Sequence, residues 1–324
     1  MTDLTSRRAV LTAALALASA PLAAQEAFPS RPVRIIVPYG AGSSVDLVTR
    51  LLAQRMAAKL GQAVVVENKP GAGTMVGTSL VAKSPADGYT LLLGSNAMSI
   101  MPHLYKPDFD PVTDLVPVAP VFNTGIVLVA KPSFPANNLG ELAKLAKARP
   151  GKLSYSTWGV GTSAHLVGEL YKDKAGIFLL HVPYKGGGFE STSAVIAGDV
   201  DVGFDTTFTA LPRIRSGQVK ALGVFYPERI EGMDNVQTAD EAGFGDATLL
   251  GWVGLFAPAR TPAAVLRVLT AAAQEGMTDP ALVARLRSQG SKPFAGAPQV
   301  LMDTMRAESD RIKTIVAKKG IKVE

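Results

Sequence analysis

Apolar positions along the chain follow two rhythms. Val33, Ile35, Ile36 and Val37 form a short β-branched run bounded by prolines, and Val45, Leu47, Val48, Leu51, Leu52 and Met56 then recur at helical spacing until Gly61 stops them. The pattern predicts strand, loop, helix. Residues 63–67 predict a second strand, whose continuous apolar run suits a parallel strand covered on both faces. Helical spacing returns at Val76, Leu80 and Val81, and after the Asp87-Gly88 turn residues 89–93 form a third strand ending at Gly94, Ser95 and Asn96. Three successive strands thus end in small polar residues, and open α/β sheets collect ligands at the carboxyl ends of their strands.

The second half repeats the device. Residues 108–120, rich in proline and aspartate, read as a connection to a second lobe that opens with the buried strand 125–130. Asn138 and Glu141 have the spacing of a capping box, and Pro150-Gly151 ends the helix they start. Strand 153–156 runs into a small-residue loop, Thr157 to Ser163 with His165 just beyond, that enters another helix. A strand ending near Tyr184 and Lys185, a helix at 190–197, a strand ending at Asp205 and a returning strand at 220–224 follow. From Thr238 onward the pattern is mostly helical, broken by strand 252–256. Thr261 is the expected N-cap before Pro262, Asp279-Pro280 starts the next helix, and the last spans about 298–319.

The loop Tyr39, Gly40, Ala41, Gly42, Ser43, Ser44 lies at the positive end of a helix dipole, where free backbone N–H groups make an anion site. Three readings stand side by side. A carboxylate sits on the helix N-terminus; or Gly40-x-Gly42, with Glu67 ending the next strand, belongs to a dinucleotide fingerprint whose third glycine is replaced by Val45; or the glycines serve only a tight turn.

Composition narrows the classes. At 324 residues, 47% hydrophobic and 19% charged, the chain has room for two globular domains. The net charge of +6 is dispersed, with no run of five Lys or Arg to track a nucleic-acid backbone. The absence of cysteine removes disulfides and thiolate metal sites. His103, His165 and His181 share no metal-ligand spacing, so neither metal nor cofactor is expected. Arg7 and Arg8 precede an apolar run to Ala18 and small residues at Ala23 and Ala24, which reads as an export segment over 1–24; Ser6-Arg7-Arg8 also suits a twin-arginine signal.

Several stretches in order resemble one family: residues 32–46; Val64 to Gly73; Pro85 to Leu92; Lys147 to Leu153; His165 to Leu170; His181 to Gly186; and Phe256 to Ala259. The chain resembles Bug-type solute receptors, the extracytoplasmic substrate-binding components of tripartite tricarboxylate transporters. The resemblance implies an α/β, two-lobed periplasmic binding protein with a hinge and an interlobe cleft. The lobes would be 28–123 plus 226–324 and 124–225, closing as a monomer on a small organic carboxylate for delivery to membrane subunits. It also implies that backbone N–H groups and ordered water hold that carboxylate. The family's usual Pro-Phe-Pro-x-Gly-Gly-x-Thr-Asp is altered here, with Gly40 for the second proline, Ser43 for the second glycine and Val45 for threonine. Trp158 precedes Gly159, and Val160 stands where asparagine is frequent. An aromatic or bulky apolar carboxylate is therefore expected, with Tyr39, Trp158 and Tyr184 near it.

The expected ligand contacts are residues 39–44, Asp46, Ser95, Asn96, Thr157, Trp158, Gly161, Thr162, Ser163, His165, Tyr184, Lys185 and Asp205. Asp46 fixes loop amides or meets a ligand donor, or is simply a first-turn acid favoured by the dipole. His165 contacts ligand or bonds within the protein, Lys185 attracts the anion or is solvated, and Trp252 is core. A catalytic function finds little support. No Gly-x-Ser-x-Gly elbow occurs, and Ser163 and His165 are only two apart. A sensor that docks on a membrane signalling protein is the other use of such a receptor.

Overall fold

In the computed structural model, which describes residues 28–185 and 187–319, the opening run folds as strand β1 (Val33–Val37) and helix α1 (Ser44–Leu60). Ser43 is extended (φ −64°, ψ 157°) and its hydroxyl accepts the Asp46 amide, while Gly61, at φ 64°, ends the helix in the left-handed conformation that glycine adopts without a Cβ penalty. The export segment expected at 1–24 lies outside the described residues.

The chain continues through β2 (Val64–Asn68), α2 (Met75–Ala82), β3 (Thr90–Ser95), α3 (Ala97–Leu104) and β4 (Leu115–Thr124). Gly125 separates β4 from β5 (Ile126–Ala130), which is followed by α4 (Leu139–Ala148), β6 (Ser154–Thr157), α5 (Ser163–Ala175), β7 (Leu180–Pro183), α6 (Gly188–Ala197), β8 (Val202–Thr206), α7 (Thr207–Arg215) and β9 (Lys220–Phe225). The chain then returns through β10 (Gly251–Pro258), α8 (Ala263–Met277), α9 (Pro280–Ser288), β11 (Ser291–Pro293) and α10 (Pro298–Lys319).

Two sheets result, ordered β11-β4-β10-β3-β1-β2 and β7-β6-β8-β5-β9. Each is the centre of one lobe. In the first, β1 runs parallel to β2 and β3; in the second, β6 runs parallel to β7 and β8. Helices cover both faces of the first sheet, because β1 and β3 are apolar at consecutive positions. Ile35, Val37, Leu91 and Leu93 pack with Val48, Leu52 and Met56 of α1, while Ile36 and Leu92 pack with Trp252, Phe256, Leu301 and Met305. Fully burying each such side chain contributes about 1.5–3 kcal/mol.

Several expectations need correction. Strand β2 is parallel but lies at the sheet edge, and Val65 is 44% exposed, so its valines reflect β-branched strand preference and not double coverage. Leu47 and Leu51 share the helical rhythm of α1 yet face outward. Half of the supposed connection 108–120 is β4. Its Pro117 and Pro120 precede the residues that pair with β11, and the β10 pairing is bulged nearby, which accommodates their missing donors. Residues 238–250 are turns and a 3₁₀ segment, not helix, while α7 and β11 were not anticipated. Thr261 bonds the Pro258 carbonyl and Pro262 takes the N-cap place of α8.

A tight seam lies where α10 crosses β10. A Cβ on Gly254 would stand 2.1 Å from Leu301 Cδ2 and 2.8 Å from Cδ1, and Leu301 is wholly buried. Gly254→Ala is expected to destabilise the protein by about 1–3 kcal/mol, the range for overpacked cores. Urea unfolding followed by circular dichroism checks this; an unchanged midpoint would contradict the packing described.

Candidate functional site

A helix has N–H groups in its first turn with no partner inside the helix. Parallel β-α units gather such ends at one edge of a sheet, and here the edges of two sheets face each other. Ser43, Ser44 and Val45 of α1, Asn96 before α3, Ser163 of α5, Gly187 and Gly188 of α6 and Thr206 before α7 line one cavity. Tyr39, Ser95, Thr124, Ile126, Trp158, Gly251, Trp252 and Val253 complete it. The space these residues leave between them is small, a cavity of about 40 Å³. No lining residue carries a formal charge.

Which amides remain available follows from the bonds already made. In α1, Ser43 N–H donates to the Gly40 carbonyl (3.3 Å) and Asp46 N–H to the Ser43 hydroxyl (3.3 Å), leaving Ser44 and Val45 without an acceptor among the described residues. In α7 the Thr206 amide donates to Asp205 Oδ1 (2.7 Å) and the Thr207 amide to the Gly125 carbonyl (2.8 Å). In α3 the Asn96 amide donates to the Trp252 carbonyl (3.1 Å) and the Ala97 amide to the Ser95 hydroxyl (3.3 Å). Ser163 and Gly188 are like Ser44, first-turn residues with no acceptor for their amides among the described residues. The cavity thus receives donors and positive helix ends from both lobes, in a setting that suits an anion of small size.

Asp46 builds this edge from below. Its Oδ2 accepts the Gly42 amide (2.9 Å), its Oδ1 accepts Asn68 Nδ2 (2.9 Å), and Arg50 pairs with it (2.9 Å). Burial pulls its carboxyl upward, but Arg50, the Gly42 amide and Asn68 hold it below the ordinary aspartate value. Tyr39 donates to or accepts from Ser95 Oγ (2.7 Å), and burial pushes its phenol up to about 12. In the other lobe Asp205 is fully buried, with Oδ2 accepting Thr192 Oγ1 (2.6 Å) and Oδ1 accepting Thr209 Oγ1 (2.5 Å) as well as the Thr206 amide. Burial raises its carboxyl to about 6.

Of the expected contacts, Tyr39, Ser43, Ser44, Ser95, Asn96, Trp158 and Ser163 line the cavity. Gly42 lies beside it with its amide committed to Asp46, while Gly40 and Ala41 form the outer part of the turn. Thr157, Gly161, Thr162 and His165 sit beneath the second loop. Thr157 Oγ1 is 2.7 Å from His181 Nε2, Thr162 Oγ1 donates to the Gly159 carbonyl (2.7 Å), and the Gly161 amide donates to His165 Nδ1 (3.2 Å). His165 stacks on His181 with ring centroids 4.6 Å apart, and burial lowers the pKa of both, His181 to about 4. Tyr184 and Lys185 line a second cavity facing Gly71, Gly73 and Tyr105, which shares Tyr39 and Trp158 with the first. Asp205 lies behind the wall. Sequence reasoning left Val45, Thr124, Ile126, Gly187, Gly188, Thr206, Gly251 and Val253 out of the expected contacts, and took Trp252 for core alone. Only Gly187 and Gly188, small residues after a strand, carried the signal used elsewhere.

The lobes touch across this cleft. Tyr105 Oη donates to the Val160 carbonyl (2.9 Å), and a Cβ on Gly187 would stand 2.9 Å from Ser43 Cβ.

A sequence model of the family described as tripartite tricarboxylate transporter family receptor matches residues 48–321. Among solved structures, the periplasmic binding protein BugD is similar at TM-score 0.87 and 34% identity, covering 92% of this chain and 100% of that one. An R. palustris protein solved with adipate has TM-score 0.86 and 29% identity over 91% and 99% of the two chains. MatC from Rhodopseudomonas palustris, with bound malate, has TM-score 0.84 and 31% identity over 89% and 100%.

The bonds to Asp46 make a local prediction. Asp46→Ala removes the acceptor for Gly42, and hydrogen exchange across residues 40–43 should accelerate about tenfold or more, the worth of a charged hydrogen bond. In the wild type the same loosening should appear on acidification through the lowered Asp46 value, because a depressed carboxyl contributes stability only while ionised. Unchanged exchange in the variant would show that the turn holds itself.

Proposed function

Because the chain belongs to the tripartite tricarboxylate transporter receptor family, whose members are periplasmic solute receptors, we propose that it captures a small organic carboxylate between its lobes. The observation that carries this reading is the meeting of helix N-termini from both sheets at a cavity with no charged side chain. Its anion would be seated on the Ser44 and Val45 amides from one lobe and the Ser163 and Gly188 amides from the other, with Ser43, Ser95, Asn96 and Thr206 as side-chain partners. Lys185 contributes electrostatic attraction from the neighbouring cavity. Exported by its N-terminal segment and acting as a monomer, the receptor closes about the crossings at Gly125 and after Phe225, then delivers its ligand to the membrane subunits of a tripartite transporter.

The apolar wall bears on ligand class. Both tryptophans of the chain, Trp158 and Trp252, line the cavity with Tyr39, Ile126 and Val253. This wall supports a carboxylate with a flat or bulky apolar body, since aromatic pairs add about 0.5–1.5 kcal/mol beyond area burial. Malate and adipate, held by the similar proteins, are the aliphatic comparison.

A thermal-shift series with benzoate, malate, adipate, citrate and NADH tests both levels. A bound carboxylate at a hundred times its dissociation constant should add about 2.7 kcal/mol of stability, and NADH none. Trp158→Ala should weaken benzoate severalfold while sparing malate. Stabilisation by NADH alone would overturn the receptor reading; tight malate binding untouched by the Trp158 change would remove the aromatic preference and leave carboxylate capture standing.

A further inference from the structure

Glu308, on α10, is a half-buried acid that does not line the cavity and forms no close ion pair among the described residues. Its Oε2 accepts Trp252 Nε1 at 2.7 Å, and Trp252 is wholly buried while lining the cavity. Trp252 is tied in turn to Asn96, another lining residue, whose amide donates to the Trp252 carbonyl (3.1 Å). The carboxylate of Glu308 is thus hydrogen-bonded to a residue that lines the anion cavity.

The surroundings supply little compensating charge, only the more distant attraction of Arg311. Among the described residues no ion pair within 4 Å reaches Glu308. Arg311, one turn along the same helix, sends its Nη2 to the Thr248 carbonyl instead (3.0 Å). From α3, Ser99 and Asn96 present neutral groups and His103 lies 2.7 Å from the hydroxyl of Ser309. Strands β4 and β10 contain no charged residue, and the other charged residues near Glu308 along α10 include Arg306, Asp310 and Lys313. Burial pushes the Glu308 carboxyl up to about 7, against the bonds from Trp252, Ser99 and Asn96 and the attraction of Arg311.

We propose that Glu308 is a proton-binding site coupled to anion capture, so that the protein takes up a proton when a carboxylate enters the cavity. The coupling rests on the anion-site reading above. A negative charge arriving beyond Trp252 disfavours a second negative charge on Glu308 and raises its proton affinity; by reciprocity, the protonated receptor binds the carboxylate more tightly. Affinity rises as pH falls through about 7, while simple carboxylates stay ionised. Protonation also changes the role of Trp252, whose indole then donates to a neutral acid.

Two measurements decide it. In the ligand-free protein, the Trp252 indole N–H resonance, assigned by its persistence in Trp158→Phe, should titrate with a midpoint near 7 in the wild type. In Glu308→Gln it should be flat. Calorimetry of benzoate, malate and adipate, in phosphate and in Tris at pH 6.5 and 8.5, should then show proton uptake and about fivefold or greater tightening at the lower pH in the wild type, both lost in Glu308→Gln. A flat wild-type indole titration overturns the proposal even if the variant fails to fold. Carboxylate binding with equal proton uptake in both proteins also overturns it, leaving the anion site intact. Binding of none of the three overturns the anion reading and this coupling with it.

Discussion

A helix cannot satisfy its own first amides, and this constraint organises the molecule. Every parallel β-α unit ends by directing unpaired donors past the carboxyl edge of its sheet. With two sheets facing edge to edge, the surplus donors of α1, α5 and α6 converge on one cavity. Water or an anion must meet them. The lining residues are neutral, and the glycines and serines among them leave these amides uncovered.

Keeping those amides aimed requires rigid support, and three acids provide it from different depths. Asp46 clamps the turn before α1 through Gly42 and Asn68, with Arg50 neutralising it. Asp205 fills the space under α6, where a Cβ on Gly188 would stand 1.9 Å from its Oδ1, so glycine at the helix start and the buried carboxylate require each other. Glu308 holds the indole of Trp252. Among the described residues only Asp46 of the three forms a close ion pair, with Arg50, and it alone is held below its ordinary value; burial raises the other two against the weaker attraction of Arg213 and Arg311. The same residue class thus serves as a fixed clamp in one place and as a protonatable support in another.

Local rhythm made much of this legible before any coordinates. The strand-loop-helix of residues 33–60, the Asn138 N-cap with Glu141 at its third position, and the loop before α5 depend on neighbours in sequence and are present, although Glu141 reaches back to the Asn137 backbone amide and not to that of Asn138. What escaped depends on partners far along the chain. Trp252 reads as core because it is core, and its second role as cavity wall comes from β10 lying between β3 and β4. Thr206 and Gly251 gain their place from the crossings between sheets. The prolines of β4 suggested a linker because their tolerance depends on a partner strand that stops short. The valines of β2 suggested a central strand, although the first sheet ends there.

The claim that backbone amides hold the anion is tested most directly at Ser44, the first residue of α1. Proline is favoured at that position and lacks the N–H, and the extended Ser43 before it is compatible with a following proline. Ser44→Pro should therefore keep the fold and its helicity while binding the carboxylate that most stabilises the wild type about tenfold or more weakly. Ser44→Ala, which keeps the amide and removes only the hydroxyl, should bind nearly as the wild type does. Wild-type affinity in a folded Ser44→Pro protein would contradict the account, because the anion would then be held by something other than the helix N-terminus.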